Sequence, residues 1–318
     1  MQVALLIITA ILLIVFLGLA IMSYIMFCSF LKREKKGTDT DAEFENLPEQ
    51  WKLKYRPVYE HKKAERAWFL SLPYKELQVK SDGYTLNGYY LSQQSKKTAI
   101  ILHGHKRDAL DEAGEIRFYY DMGYNIFIPD IRSHGKSQGK YIGMGCVDRG
   151  DIIKWIDLLH DNNESDCGFI LVGFSMGGAT ALALSGNIDL PPSVAAIISH
   201  SSFTSIKELM SSVIKMKPTL IKNLLIFGFE IWCKLLVGYG FNDNTPEQGV
   251  QKSKTPIMII HGAKDNLVPL YMSEKLFSLC ISEKAYWVDE NAGHDMVGWY
   301  EKEVYQSQIR AFLNKYVK

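Results

Sequence analysis

A serine hydroxyl is a weak nucleophile unless a base stands beside it, and in this 318-residue chain Ser175 occupies the local setting that such chemistry needs. The apolar run Gly168–Val172 leads into Gly173-Phe174-Ser175-Met176-Gly177, and the helix-forming stretch Ala179–Leu184 follows. Strand, G-x-S-x-G and helix in that order force the serine into a strained turn that lifts its hydroxyl out of the sheet. Glycines at 173 and 177 let strand and helix approach closely. The same turn places the backbone amide of Met176 at a helix N-terminus, where it can face a developing oxyanion. The competing reading, a glycine-rich turn with a capping serine, is disfavoured by that context.

Eight histidines are available as the base: His61, His103, His105, His134, His160, His200, His261 and His294. A strand–elbow–helix nucleophile is followed along the chain by the acid and then the histidine, which leaves His200, His261 and His294. The first two lie at strand ends. His294 lies in a loop after the last strand, with Gly293 before it to permit a tight turn back to the site. The acid is expected after the preceding strand, where Asp265 stands in the turn from His261 to Pro269. There it can accept from one imidazole nitrogen, fix the tautomer and stabilise the imidazolium. A helix N-cap is the alternative role for Asp265, and Asp243, Asp289 and Asp295 are weaker candidates for the acid. Leu102-His103-Gly104-His105 ends an earlier strand, and the backbone amide of His105 is the expected second oxyanion donor. The imidazoles of His103 and His105 read as loop-packing groups.

These residues need a scaffold. Lys75–Lys80 and Thr85–Leu91 flank Ser81-Asp82-Gly83 and read as a hairpin. Short apolar runs follow at Ala99–Leu102, Asn125–Pro129, Gly168–Gly173, Val194–Ser199, Pro256–Ile260 and Ala285–Val288, as expected of strands buried on both faces. Helical stretches such as Asp148–His160, Ser175–Ser185 and Tyr271–Ile281 separate them. The alternation predicts an α/β fold with a mostly parallel sheet and helices on both faces, and chemistry at the carboxyl ends of the strands.

The N-terminal run Val3 to Leu31 carries no charge. At about 1.5 Å per residue it exceeds the roughly 30 Å hydrocarbon core of a bilayer. A cleaved signal would have a shorter apolar region behind a positive segment, so residues 1–31 are expected to be a retained single-span anchor. Lys32, Arg33, Lys35 and Lys36 flank its C-terminal end, a bias that puts the following domain on the cytoplasmic side. Residues 32–56 read as a solvated linker and residues 57–318 as the catalytic domain, opening with a helix over Pro57–Leu72. The five cysteines (Cys28, Cys146, Cys167, Cys233, Cys280) show no C-x-x-C spacing, which argues against disulfides and zinc. A net charge of +1 without a clustered basic face gives no nucleic-acid footprint. No metal or other cofactor is implied.

An insert at about 206–253, rich in large apolar residues, is expected to form a helical lid of two short helices broken near Pro218. Its apolar residues either pack on the domain, build an acyl pocket or face lipid. The chain as a whole resembles the single-span α/β-hydrolases of Gram-positive bacteria, relatives of serine-aminopeptidase-like and monoacylglycerol-lipase-like hydrolases. The resemblance rests on Ser81-Asp82-Gly83-Tyr84-Thr85-Leu86, His103-Gly104, Pro129-Asp130-Ile131-Arg132-Ser133-His134-Gly135-Lys136-Ser137, Gly139–Gly143, the elbow, His261-Gly262 through Pro269, and Gly293-His294, in consistent order over residues 60–318. It implies the α/β-hydrolase fold, a triad of Ser175, Asp265 and His294, and hydrolytic acyl chemistry. It also implies that Asp130, Arg132 and His134 brace loops. Asp295 departs from the glycine that family members usually carry there, and a carboxylate beside His294 would raise the imidazole pKa. The expected activity is hydrolysis of acyl esters, with small-molecule or lipid-like substrates. Fold and triad do not fix the leaving group, so peptidase, thioesterase and acyltransferase activities share the same machinery, and a membrane-tethered scaffold is the reading from outside enzymology.

Overall fold

The computed structural model describes residues 1–34, 40–162, 168–294 and 296–317. The apolar run forms one helix, α1 (Gln2–Leu31), whose first two-thirds expose apolar side chains on every side. A helix apolar all round is either buried in a core or immersed in lipid, and this one is long and apolar enough to cross a membrane. Its last turns behave differently. Ser23, Phe27 and Leu31 are buried, and Phe27 and Leu31 join the main hydrophobic core. The chain then pairs with the domain: Arg33 N–H donates to Lys140 O, and its guanidinium donates to Gly135 O at 2.7 Å and Ser137 O at 2.5 Å.

The linker expected over residues 32–56 carries two helical segments, α2 (Thr40–Glu45) and the start of α3 (Glu49–Leu70). Helix α3 runs through Pro57 rather than opening there, and its acidic start conceals apolar positions in register with the rest. Trp51 and Tyr55 stack on each other, Phe44 of α2 stacks on Tyr59 with ring centroids 4.0 Å apart, and Val58 packs with Ala292 and Met296.

Eight strands form one sheet: β1 (Lys75–Ser81), β2 (Tyr84–Leu91), β3 (Lys97–Leu102), β4 (Asn125–Pro129), β5 (Gly168–Phe174), β6 (Val194–His200), β7 (Ile257–Gly262) and β8 (Lys284–Asp289), in the order β1-β2-β4-β3-β5-β6-β7-β8. The pairs β1–β2 and β2–β4 are antiparallel and the rest parallel, the mostly parallel sheet expected. At the β1–β2 corner Asp82 and Gly83 both take positive φ, 47° and 81°, the backbone that suits the twist of a two-residue hairpin.

The remaining helices are α4 (Ala113–Asp121), α5 (Asp148–Asn162), α6 (Met176–Ser185), α7 (Ile206–Val213), α8 (Thr219–Leu236), α9 (Pro246–Val250), α10 (Leu270–Leu279) and α11 (Lys302–Tyr316). One core holds Trp155 and Leu182 on one face of the sheet. The other gathers Phe69, Tyr119 and Ile309 from α3, α4 and α11. The insert forms α7, α8 and α9, with the first break at Pro218 as expected. In α8, Leu225, Ile226, Phe229 and Cys233 are buried, while Leu220, Leu224, Phe227, Ile231 and Leu235 stand exposed on the opposite face. Between these faces α8 meets α1: Trp232 Nε1 donates to Ser23 Oγ at 3.2 Å, and Tyr24 and Trp232 lie 4.9 Å apart. Cys28, Cys146, Cys233 and Cys280 are free thiols, and Cys167 lies outside the described residues.

Because Phe27 fills core space, Phe27→Ala in the full, detergent-solubilised chain is expected to lose about 3–5 kcal/mol, the usual cost of truncating a buried phenylalanine. Leu6→Ala, on the exposed part of the same helix, should leave the melting temperature unchanged. Thermal melts of the two variants side by side check this, and equal effects would mean that the end of α1 is not part of the domain core.

Candidate active site

Strand β5 ends at Phe174 and α6 begins at Met176, so one residue makes the turn. Ser175 does so with φ 51° and ψ −110°, a backbone conformation costly for any residue but glycine. Close packing holds it there. A Cβ on Gly173 would lie 2.4 Å from Gly177 C, and one on Gly177 would lie 2.1 Å from Leu102 O. Ser175 N–H donates to His200 O at 2.8 Å, which ties the turn to β6.

The loops after β7 and β8 bring the expected partners to this serine. His294 Nε2 lies 2.9 Å from Ser175 Oγ, and His294 Nδ1 lies 2.7 Å from Asp265 Oδ2. A carboxylate only accepts, so Nδ1 carries the proton and Nε2 is left to accept from the hydroxyl. Asp265 is buried, and its other oxygen, Oδ1, accepts from Leu267 N–H at 2.9 Å and Val268 N–H at 2.8 Å. Pro269, not Asp265, stands at the N-cap of α10; one oxygen of Asp265 shapes the turn before that helix and the other meets the imidazole. Asp289 braces the histidine's loop by accepting from Asn291 N–H and Gly298 N–H, while Ala292 O accepts from Lys264 N–H and joins the two loops. Asp243 accepts from Gly240 N–H within the insert. Asp295 lies outside the described residues.

The loop after β3 sits against the elbow. A Cβ on Gly104 would be 3.8 Å from Ser175 Cβ and from Phe174 O, so the loop packs on the nucleophile's turn. The imidazole of His105 turns the other way, with Nε2 2.7 Å from Phe30 O and its ring stacked on that of Phe30 at 4.5 Å. Desolvation pushes His105 down to about 4, so the ring is neutral and Nε2–H is the donor. His103 is likewise pushed to about 4 by burial, and its Nε2 accepts from Ile131 N–H. Asp130 accepts from Ala109 N–H and Lys136 N–H, His134 Nε2 accepts from Lys106 N–H, and Arg132 pairs with Asp151 and Asp82. All three hold loops beside the site.

The comparisons with known proteins agree with this architecture. Residues 93–237 match the family described as serine aminopeptidase, S33. The protein YqkD of Bacillus subtilis is 27% identical over 234 residues, 73% of this chain and 76% of YqkD. The protein bem46 of Schizosaccharomyces pombe is 27% identical over 67% of this chain and 68% of its own length. Among solved structures, the esterase Pf2001 of Pyrococcus furiosus superposes with a TM-score of 0.63 at 22% identity, covering 78% of this chain and 95% of the esterase. The chain has the α/β-hydrolase fold.

A cavity of about 240 Å³ opens beside Ser175. Its walls include Val58 and His61 of α3, Glu115 of α4, Leu267, Trp299 and Tyr305 of α11, and nothing from the insert at 206–253. The apolar residues of the insert thus do not line this cavity. The α3 wall carries no motif and was not legible in the sequence. Within the cavity, Tyr305 O–H donates to Glu115 Oε2 at 2.7 Å, and desolvation pushes the Glu115 carboxyl up to about 7. Among the described residues, no cluster of His, Cys, Asp and Glu could hold a metal ion.

Glu115 has a testable signature. Its native pKa of about 7 exceeds the ordinary 4.5. Between those values the native state binds more protons than the unfolded state, so this group's contribution is complete below about pH 4.5 and lost as pH rises through about 7. Glu115→Gln should therefore lose less melting temperature between pH 5 and pH 8 than the parent does. Parallel curves would show that Glu115 is already ionised at pH 5.

Proposed function

We propose that this protein is a membrane-anchored serine hydrolase that cleaves acyl esters through an acyl-enzyme. The observation that carries the reading is the unbroken chain from Ser175 Oγ through His294 to buried Asp265, at 2.9 and 2.7 Å. In this reaction Ser175 Oγ attacks the ester carbonyl while His294 Nε2 takes its proton. Asp265 stabilises the imidazolium that forms, and the backbone amides of Met176 and His105 receive the oxyanion. His294 then returns the proton to the departing alcohol, and water activated by the same imidazole clears the acyl-serine. Amide, thioester and acyl-transfer chemistry would run on the same groups. The esterase reading is favoured by the structural likeness to Pf2001, itself an esterase.

The cavity narrows the substrate. Its modest volume and its mixed lining, with Val58, Leu267 and Trp299 beside His61, Glu115 and Lys302, suit a short acyl group or one bearing a polar substituent better than a long saturated chain. Membrane attachment is supported by α1 and by α8, whose exposed apolar stripe lies beside α1 and extends its apolar surface. A lipid-like ester is the second reading, favoured by that shared surface. Lys32 and Arg33 at the end of α1 favour the cytoplasmic side.

A fluorophosphonate probe is expected to label the full-length parent, with labelling abolished in Ser175→Ala. In His294→Ala ester turnover should fall by about 10⁴–10⁶-fold, the scale seen when a triad member is removed. Folded parent protein that resists the probe would sink the assignment. On a series of nitrophenyl esters, kcat/KM is expected to be highest for acetyl to hexanoyl groups and to fall by at least about tenfold (1.4 kcal/mol) for palmitoyl. A preference for palmitoyl would move the assignment to the lipid reading.

A further inference from the structure

A helix leaves its last four carbonyls without partners inside the helix, and in α1 these belong to Cys28, Ser29, Phe30 and Leu31. Where they find donors is a matter of accounting. Cys28 O accepts from the capping Lys32 N–H, and Leu31 O accepts from Ile142 N–H at 2.7 Å. The other two are taken by consecutive side chains of one loop. Lys106 Nζ donates to Ser29 O at 2.8 Å, and His105 Nε2 donates to Phe30 O at 2.7 Å. This is the loop after β3 that holds the second oxyanion donor in the proposed mechanism.

The attachment has features beyond two hydrogen bonds. The imidazole of His105 lies nearly flat on the Phe30 ring, 4.5 Å between centroids and 23° between planes, so both its position and its tilt are set by α1. The Lys106 ammonium sits at the negative end of the helix dipole, where a cation is favoured, and it also pairs with Glu34 at 2.8 Å. Within the loop, Lys106 takes a left-handed φ of 56°, Arg107 N–H reaches Gly104 O at 3.3 Å and Lys106 N–H donates to His134 Nε2 at 3.1 Å, both longer than the two bonds to α1. Oxyanion stabilisation depends on donors placed before the charge develops. An amide whose side chain is strapped to α1 is placed by α1.

We infer that the last turn of the N-terminal helix is a positioning element for the oxyanion loop, acting through Phe30, His105 and Lys106, so that turnover depends on how the anchor is seated on the domain. His105 and Phe30 are then positioning residues, and neither side chain touches the reacting atoms. The inference rests on the serine hydrolase reading above and on the backbone amide of His105 as an oxyanion donor.

The test uses the full chain in phosphatidylcholine nanodiscs with nitrophenyl butyrate as substrate. Deleting α1 would strip Phe27 and Leu31 from the core, so point variants are used: His105→Ala, His105→Gln and Phe30→Ala, with Leu6→Ala as control. His105→Ala and Phe30→Ala should lower kcat by about 10- to 100-fold, below or at the range for losing an oxyanion donor outright, with KM within about twofold, since ground-state binding is untouched. His105→Gln should recover most of kcat, because its carboxamide N–H can reach the Phe30 carbonyl. Hydrogen exchange over 104–107 should accelerate in Phe30→Ala while residues 173–178 keep their protection. Unchanged kcat in both alanine variants would overturn the inference. So would a loss of protection at the elbow equal to that in the loop, which would make the contact a general stabiliser. Failure of the underlying reading is separately visible: turnover that survives Ser175→Ala would remove the serine hydrolase assignment whatever His105 does.

Discussion

Helix α6 meets strand β3 through bare backbone, and the site depends on that contact. Gly177 lies against the carbonyls of Leu102 and His103, and Gly173 lies against Gly177 and Gly178. With side chains at these places the helix would have to withdraw from the sheet. Ser175 would then relax out of its left-handed turn, and the Met176 amide would move away from the loop after β3. The strain in Ser175 is thus maintained by packing around it. The other groups converge on this junction because parallel strands release their loops at one end of the sheet. Between β3 and β5 the chain switches direction across the sheet, β3 leading to β4 on one side and β5 to β6 on the other. That divergence leaves the crevice in which the serine and the 104–105 loop face each other.

What could be read from the sequence was what is written locally. The elbow is a contiguous motif, and Asp265 and His294 each lie in a loop immediately after an apolar strand, so order along the chain was sufficient to find them. What could not be read was set by contacts without a local signature. Val58 and His61 reach the cavity from α3, a helix expected to pack on the domain but carrying no motif that would place it at the site. Phe30 and His105 are 75 residues apart, and nothing in either neighbourhood announces the pairing. The end of the anchor was placed by charge alone, at the first lysines. Packing instead makes its last turns part of the domain.

The insert shows a further limit of composition. Helix α8 is apolar on nearly every side, and hydrophobicity has no direction. The spacing separates two faces: 225, 226, 229 and 233 point to the core, while 220, 224, 227, 231 and 235 recur about every 3.75 residues on the other side. Which face is the core is decided by Phe229 meeting Phe27 and Phe241, at ring separations of 6.1 and 5.1 Å. The stripe left outside then continues the surface of α1. An apolar insert beside a candidate catalytic serine suggested an acyl pocket, and the structure places those residues in the core and on this outer surface.

The geometry of α1 bears on what the enzyme can reach. Thirty helical residues span about 45 Å at 1.5 Å each, whereas a hydrocarbon core of about 30 Å needs roughly 20. The surplus of about ten residues lies at the C-terminal end, because burial begins at Ser23 and includes Phe27 and Leu31. With α1 as a span, Tyr24 and Trp232 fall at the boundary where amphipathic rings reside. In the proposed membrane-anchored arrangement the domain follows directly on α1, whose last turns are part of its core. A hydrolase suspended by a disordered linker would sample solution in all directions. In the proposed arrangement the direct attachment to α1 instead favours esters that come to the membrane surface.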